Sequence, residues 1–125
     1  MIVLDTETLR RWLKGTLDRH DAASGDHTLT ISTIVLTELL AQLVTVGARP
    51  THVLRDLHIE GLSAVDFTAE DAVRIAELQS DPRVRVLSVA DQASLALAVR
   101  LRATLVTTNP DLADLDFGVP VQVVA

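Results

Sequence analysis

The sequence predicts an α/β domain with a central, mainly parallel sheet flanked by helices. Short apolar runs alternate along the chain with longer stretches whose apolar residues recur at helical spacing. The short runs contain few polar positions, which is typical of strands in parallel sheets. Apolar residues form 48% of the 125-residue chain, so we expect one domain over residues 1–125. In such sheets, binding sites form beyond the carboxyl ends of the strands.

Capping residues divide the chain into its predicted elements. Ser32 is placed to cap a helix, and Thr68 forms a capping box with Asp71. Ser88 and Asp91 have the spacing of a second capping box. The predicted elements, in order, are a strand at 2–4, a helix at 6–17, a loop at 18–27, a strand at 29–31, helices at 32–46 and 50–57, an extended piece at 63–67, a helix at 68–80, a strand at 84–87, a helix at 88–102, a strand at 104–107, a turn at 109–110 and a strand at 119–124.

The composition narrows the possible chemistry and location. The chain has no Cys, which excludes disulfides, thiolate metal sites and thiol nucleophiles and fits a reducing compartment. No apolar run approaches the roughly 20 residues of a membrane span, and the N-terminus lacks the pattern of a signal peptide. We therefore expect a cytoplasmic protein with no membrane partner. The net charge of −6 argues against a nucleic-acid partner unless cations offset the acids.

Three acids follow predicted strands, and a fourth lies inside an apolar helix. Asp5 directly follows the first strand, and Asp91 and Asp111 each lie four residues beyond a later strand. Glu38 is six residues past Ser32, which is too deep to cap its helix. Each acid also has a structural explanation. Asp5 and Asp91 can cap helices, Asp111 can belong to a turn, and Glu38 can reach solvent or pair with an Arg.

Taken together, the acids predict a site for a hard divalent cation. Clustered carboxylates repel one another unless a cation lies between them. Mg²⁺ and Mn²⁺ prefer such oxygen ligands, whereas the four His residues show no ligand spacing that would favour zinc: His20, His27, His52 and His58. A carboxylate site of this kind suits the hydrolysis of phosphate esters.

The chain resembles the PIN-domain ribonucleases, specifically the small VapC-type toxins of toxin–antitoxin pairs. The resemblance rests on four segments in order: IVLDTETL, ISTIVLTELL, SVADQASLALAVRLRA and TLVTTNPDLADL. It implies a three-layer α/β domain whose parallel sheet gathers acids around Mg²⁺ or Mn²⁺. It also implies an endoribonuclease that hydrolyses RNA phosphodiester bonds to leave a 5′-phosphate and a 3′-hydroxyl.

The resemblance also assigns roles to residues. Asp5, Glu38 and Asp91 match the first three acids of the family. Asn109 stands at the position of the usual fourth carboxylate, so Asp111 can take over that role while the Asn109 carbonyl remains a candidate ligand. The hydroxyls of two threonines are candidates for holding these carboxylates, or for satisfying local backbone groups instead: Thr6 and Thr107.

Partner surfaces are predicted on the neighbouring helices. Arg10, Arg11 and Lys14 lie on the helix that follows Asp5 and are candidates for holding an RNA backbone. The alternative is a solvated basic face beside Trp12 and Leu13, which we assign to the core. The resemblance implies a homodimer and a VapB-like antitoxin that sends an Arg into the acids. Residues 33–46 and 50–59 are candidates for the antitoxin groove, or for core or dimer surface.

Two other functions remain open from the sequence. Asn109 fits a degenerate PIN-like module that binds RNA or an antitoxin without cutting. The segment LDTETL is also reminiscent of the Asp-x-Asp opening of haloacid-dehalogenase-like phosphatases, although Glu7 replaces the second Asp. That class also needs a downstream Lys, and Lys14 is the only Lys in the chain.

Overall fold

The computed structural model describes residues 1–15 and 28–125. The predicted loop at 18–27 and the predicted helical position Leu17 lie outside these residues. In chain order the elements are β1 (Ile2–Leu4), α1 (Thr6–Leu13), β2 (Leu29–Ser32), α2 (Thr33–Val44), α3 (Pro50–Ile59), β3 (Leu62–Val65), α4 (Ala69–Leu78), α5 (Pro82–Arg85), α6 (Val89–Leu101), β4 (Thr104–Thr107), a 3₁₀ turn (Pro110–Leu112) and β5 (Val121–Val123).

The five strands form one parallel sheet in the order β3-β2-β1-β4-β5. Strand β1 lies at the centre, with Val3 opposite Thr30 of β2 and Leu105 of β4. All carboxyl ends of the strands therefore lie along one edge of the sheet. This arrangement confirms the predicted α/β fold with a parallel sheet.

Helices pack on both faces of the sheet. Alternate residues of β1 face opposite sides, so Ile2 and Leu4 join one core cluster and Val3 joins the other. The first cluster includes Leu9 and Trp12 of α1 with residues of α2 and α3. The second includes Leu95 and neighbouring residues of α6. The result is the three-layer arrangement that the family resemblance implied.

Side-chain caps fix where the helices begin. The Ser32 hydroxyl accepts a hydrogen bond from the Ile34 N–H, and Thr68 and Asp71 form the predicted capping box. The second predicted box is only half formed. The Ser88 hydroxyl accepts from the Asp91 N–H at 3.1 Å, but the Asp91 carboxylate accepts from Thr6 instead. Asp91 is thus directed away from its own helix end.

The strand predicted at 84–87 is wrong, because α5 covers Val84 and Arg85 and the chain turns and bends at 86–87. The Asp81 carboxylate accepts a hydrogen bond from the Arg83 N–H at 2.9 Å, and Pro82 fits the first turn of a helix. The Val86 side chain, which the strand would have buried, is 82% exposed. The start of α6, rather than a strand end, therefore brings Asp91 to the carboxyl edge of the sheet.

One further expectation needs correction. Leu13, expected in the core, is 41% exposed at the last position of α1, whereas Trp12 is buried as expected. Arg100, in the last turn of α6, connects this helix to α4. Its guanidinium forms a bidentate pair with the buried Asp71, at 2.8 and 3.1 Å, and also donates to the Asp66 carbonyl.

No helix in residues 1–15 and 28–125 is long and apolar enough to cross a membrane.

Replacement of Arg100 by Ala should destabilise the protein by about 3–5 kcal/mol, because it leaves the Asp71 carboxylate, only 2% exposed, without its cation. Chemical denaturation of the variant would measure this loss. Arg74→Ala, which removes an exposed pair with Glu77, is the matched control and should cost less than about 1 kcal/mol. Equal losses in the two variants would contradict the structural role of the Asp71–Arg100 pair.

Candidate carboxylate site

Asp5 lies between β1 and α1 and is held by three side-chain or backbone donors. Its Oδ1 accepts from the Thr8 N–H at 3.0 Å and from the Thr8 hydroxyl at 2.6 Å. Its Oδ2 accepts from the Thr107 hydroxyl at 2.5 Å. The side chain thereby caps α1 and connects the carboxyl ends of β1 and β4. Asp5 is 5% exposed, so the position of its carboxylate is fixed.

The segment after β4 extends this network. The Asn109 N–H donates to the Thr107 hydroxyl oxygen at 3.1 Å, and the Asn109 side-chain oxygen accepts from the Asp111 N–H at 3.0 Å. Asn109 therefore supports Asp5 through Thr107. Asp111 is exposed, and none of the described residues that donate to Asp5, Glu38 or Asp91 also donates to its carboxylate.

Thr6 lies between the other two acids. Its backbone N–H donates to Asp91 Oδ1 at 3.4 Å, and its hydroxyl donates to Glu38 Oε2 at 3.5 Å. Glu38 and Asp91 are both half-buried. The structure therefore brings Asp5, Glu38 and Asp91 to one edge of the sheet, with Thr6 and Thr107 in hydrogen-bond contact with them.

The acids act on one another electrostatically. Burial raises the pKa of Asp91, and the negative charges of Asp5 and Glu38 raise it further, while hydrogen bonds from Thr6 oppose this rise. A carboxylate in this position carries an energetic cost when ionised. A cation beside it would remove that cost.

The donor set fits a hard divalent cation such as Mg²⁺ or Mn²⁺. All three side chains offer oxygen, and they repel one another without a cation. In the part of the chain that the structure describes, no three acidic or imidazole groups are arranged to enclose an ion by themselves. Mg²⁺ is commonly bound by one or two carboxylates and several waters, so this partial set remains compatible with it.

Basic residues lie along α1 and at its C-terminal end, and two of them are engaged by other side chains. Arg10 pairs with Glu7 at 3.2 Å and donates to the Gln42 side chain at 3.0 Å, and Arg11 lies 3.6 Å from Glu7. Lys14 is exposed at the end of the helix. The predicted basic strip is therefore present on the surface, with Glu7 offsetting part of its charge.

Sequence reasoning missed Thr8, which donates two of the three hydrogen bonds to Asp5. The signal was available in the spacing, because a Thr three residues after a helix-capping Asp lies over the cap. Its complete burial was not predictable from a segment in which polar residues surround it.

A family model for the PIN domain matches residues 2–118. The chain belongs to the PIN-domain family. The resemblance drawn from the sequence is thus confirmed, and the five-stranded parallel sheet is a PIN fold. No protein of curated function matches this PIN-domain chain.

Solved structures of toxin–antitoxin complexes share the fold of this PIN domain. A chain of VapBC2 from Rickettsia felis, bound to a DNA fragment from its promoter, is 22% identical with a TM-score of 0.72, and 97% of each chain is covered. A chain of DNA-bound VapBC from Salmonella typhimurium is 19% identical with a TM-score of 0.69, covering 96% of this chain and 95% of that one. A chain of a toxin–antitoxin complex from Klebsiella pneumoniae is 23% identical with a TM-score of 0.66 and 95% coverage of each. At these identities the likeness shows the fold.

Replacement of Asp91 by Asn should stabilise the metal-free PIN domain. The pKa of Asp91 is raised in the folded state, so its ionised form costs stability at neutral pH, and this cost is relieved as pH falls. Thermal unfolding in a chelator at pH 7 would show a higher Tm for the variant than for the wild type. Glu77→Gln, at an exposed position on α4, is the control and should leave Tm nearly unchanged. A lower Tm for Asp91→Asn would contradict the electrostatic account.

Proposed function

We propose that the chain is a metal-dependent endoribonuclease and the toxin of a VapBC-type toxin–antitoxin pair. The observation that carries this proposal is the meeting of Asp5, Glu38 and Asp91 at the carboxyl edge of a PIN-family sheet. The similarity in fold to chains of three toxin–antitoxin complexes supports the toxin assignment.

Mg²⁺ or Mn²⁺ is the proposed cofactor, with Asp5 and Asp91 as its principal ligands. A divalent cation supplies a Lewis acid that neutralises phosphate charge and makes water more acidic. Asp5 provides a rigid anion because Thr8 and Thr107 hold both of its oxygens. Glu38 completes the negative cleft and is held toward Asp91 by Thr6.

Asn109 stands where the family usually has its fourth acidic residue. Asn109 contributes through its N–H, which fixes the Thr107 hydroxyl, while its side-chain oxygen caps the 3₁₀ turn. Asp111, which is exposed to solvent two residues after Asn109, is the second candidate for the fourth acidic role. A degenerate module that binds without cutting is the alternative that this substitution keeps open.

RNA is the proposed substrate, held beside the cleft by the basic residues of α1. Arg10, Arg11 and Lys14 follow Asp5 by five, six and nine residues, along α1 and at its C-terminal end, so an RNA backbone on this strip would run along α1 toward the acids. Lys14 and the partly neutralised Arg10 provide phosphate contacts without sequence preference. A phosphotransfer enzyme is disfavoured, because Glu7 is exposed and paired with Arg10 rather than directed to the site.

An apolar groove between α1, α2 and α3 is the proposed seat of the antitoxin. Leu13 and Leu43 border two adjoining depressions, one of which extends to Val46 and the other to Val53. Large apolar side chains in this region are exposed, including Leu13 and Val46. An amphipathic helix fits such a groove, and an Arg from the same partner would match the nearby carboxylates. We also propose that the protein forms a homodimer, as its family resemblance implies.

Replacement of Asp5 by Asn should lower Mn²⁺-dependent RNA cleavage by at least roughly 100-fold, because it removes charge from the most rigid carboxylate of the cleft. Purified wild-type and variant proteins would be incubated with RNA and Mn²⁺, and the products separated by gel electrophoresis. Asp56→Asn, at an exposed position on α3, is the matched control and should cleave like the wild type.

A wild-type protein that neither cleaves RNA nor gains thermal stability from Mn²⁺ would overturn the enzymatic proposal. Stabilisation by Mn²⁺ without cleavage would favour the binding module instead. Melting curves in a chelator would show whether Asp5→Asn is folded, so that lost activity can be separated from lost structure.

A further inference from the structure

Thr8 fills the hydrogen-bond acceptor capacity of the Asp5 Oδ1 atom. Its backbone N–H and its hydroxyl both donate to this one oxygen, at 3.0 and 2.6 Å. An ionised carboxylate has about two acceptor positions on each oxygen. Both positions of Oδ1 are therefore filled by a residue that is itself 0% exposed, so no solvent can replace it.

Among residues 1–15 and 28–125, one donor contacts Oδ2 of Asp5, which leaves one of its two acceptor positions open. The Thr107 hydroxyl fills the other, and its direction is fixed because its oxygen accepts from the Asn109 N–H. The Thr107 proton therefore points at Asp5 rather than at Asn109. With respect to the described residues, Oδ2 is therefore the Asp5 oxygen that has an acceptor position available for a cation.

The hydroxyl of Thr8 is not needed to begin α1. The Thr8 N–H alone makes the capping bond to Asp5, as in any Asp-capped helix. In an ordinary capping box the third helical side chain bonds the backbone N–H of the capping residue, whereas here it bonds the carboxylate. This second bond therefore acts on the carboxylate and not on the helix.

We propose that Thr8 is a positioning residue that sets the metal selectivity of the site, favouring Mg²⁺ and Mn²⁺ over Ca²⁺. Ca²⁺ takes six to eight oxygen ligands and often binds both oxygens of one carboxylate, whereas Mg²⁺ requires near-octahedral geometry and retains waters. By occupying Oδ1, Thr8 blocks the two-oxygen mode at Asp5. This inference rests on the metal-dependent function proposed above.

Calorimetric titration of Mg²⁺, Mn²⁺ and Ca²⁺ into the metal-free full chain tests the proposal. Thr8→Val removes the hydroxyl with little change in volume and keeps the capping N–H. We expect the ratio of Ca²⁺ affinity to Mn²⁺ affinity to rise by roughly fivefold in Thr8→Val, the size of effect that one hydrogen bond can produce. Thr8→Ser should restore the wild-type ratio.

Ser94→Ala is the matched control, because it removes a buried hydroxyl whose hydrogen bond, within the described part of the chain, is to the Ala90 carbonyl on α6. Its ratio should equal that of the wild type, and Thr8→Ala provides a second variant if Thr8→Val does not fold. An unchanged ratio in the folded Thr8 variants would overturn this inference alone. Unfolding of both Thr8→Val and Thr8→Ala would also overturn it, since Thr8 would then be structural. A wild-type protein that binds none of the three ions would overturn the proposed metal-dependent function as well.

Discussion

The hydrogen bonds of the Asp5 carboxylate are the interaction on which the rest of the site depends. One oxygen begins α1 through Thr8, and the other binds β4 through Thr107. The same residue therefore fixes the helix that carries Thr6 and the basic strip, and the turn that carries Asn109. Thr6 in turn contacts Glu38 of α2 and Asp91 of α6, so this one junction connects all three acids.

The site combines a rigid anion with two acids that are less firmly held. Asp5 is buried, and hydrogen-bond donors surround its carboxylate. Asp91 is half-buried, and the pKa of its carboxyl is raised by burial and by the neighbouring acids. Its Oδ1 accepts a longer hydrogen bond from the Thr6 N–H, at 3.4 Å. Repulsion among the ionised carboxylates makes such a cleft electrostatically unfavourable by itself, and a bound cation would offset this repulsion. The net charge of −6 therefore does not exclude an RNA substrate, because the proposed cations would reverse the sign of the field where the acids gather.

Much of the fold was predictable because local signals and burial agree in most elements. The capping box at Thr68 and the strand at 104–107 are examples. The prediction for 84–87 was wrong because its apolar residues indicate a strand, whereas the Asp81 cap and Pro82 favour a helix that begins just before them. Of the site, the acids could be predicted from their order along the chain. The contacts of Thr8 could not be predicted, because they depend on the rotation of α1 against β1. The placement of Leu13 at a groove could not be predicted either, because it depends on how three helices meet.

Crystals of the protein soaked in Mn²⁺ would test the central claim most directly, because the anomalous scattering of manganese locates the ion independently of activity. We predict a peak between the carboxylates of Asp5 and Asp91, with Oδ2 as the Asp5 ligand and waters completing the coordination. The same soak with Asp5→Asn should show the peak lost or greatly reduced. A manganese peak elsewhere in the wild-type protein, with none beside Asp5 and Asp91, would contradict the account.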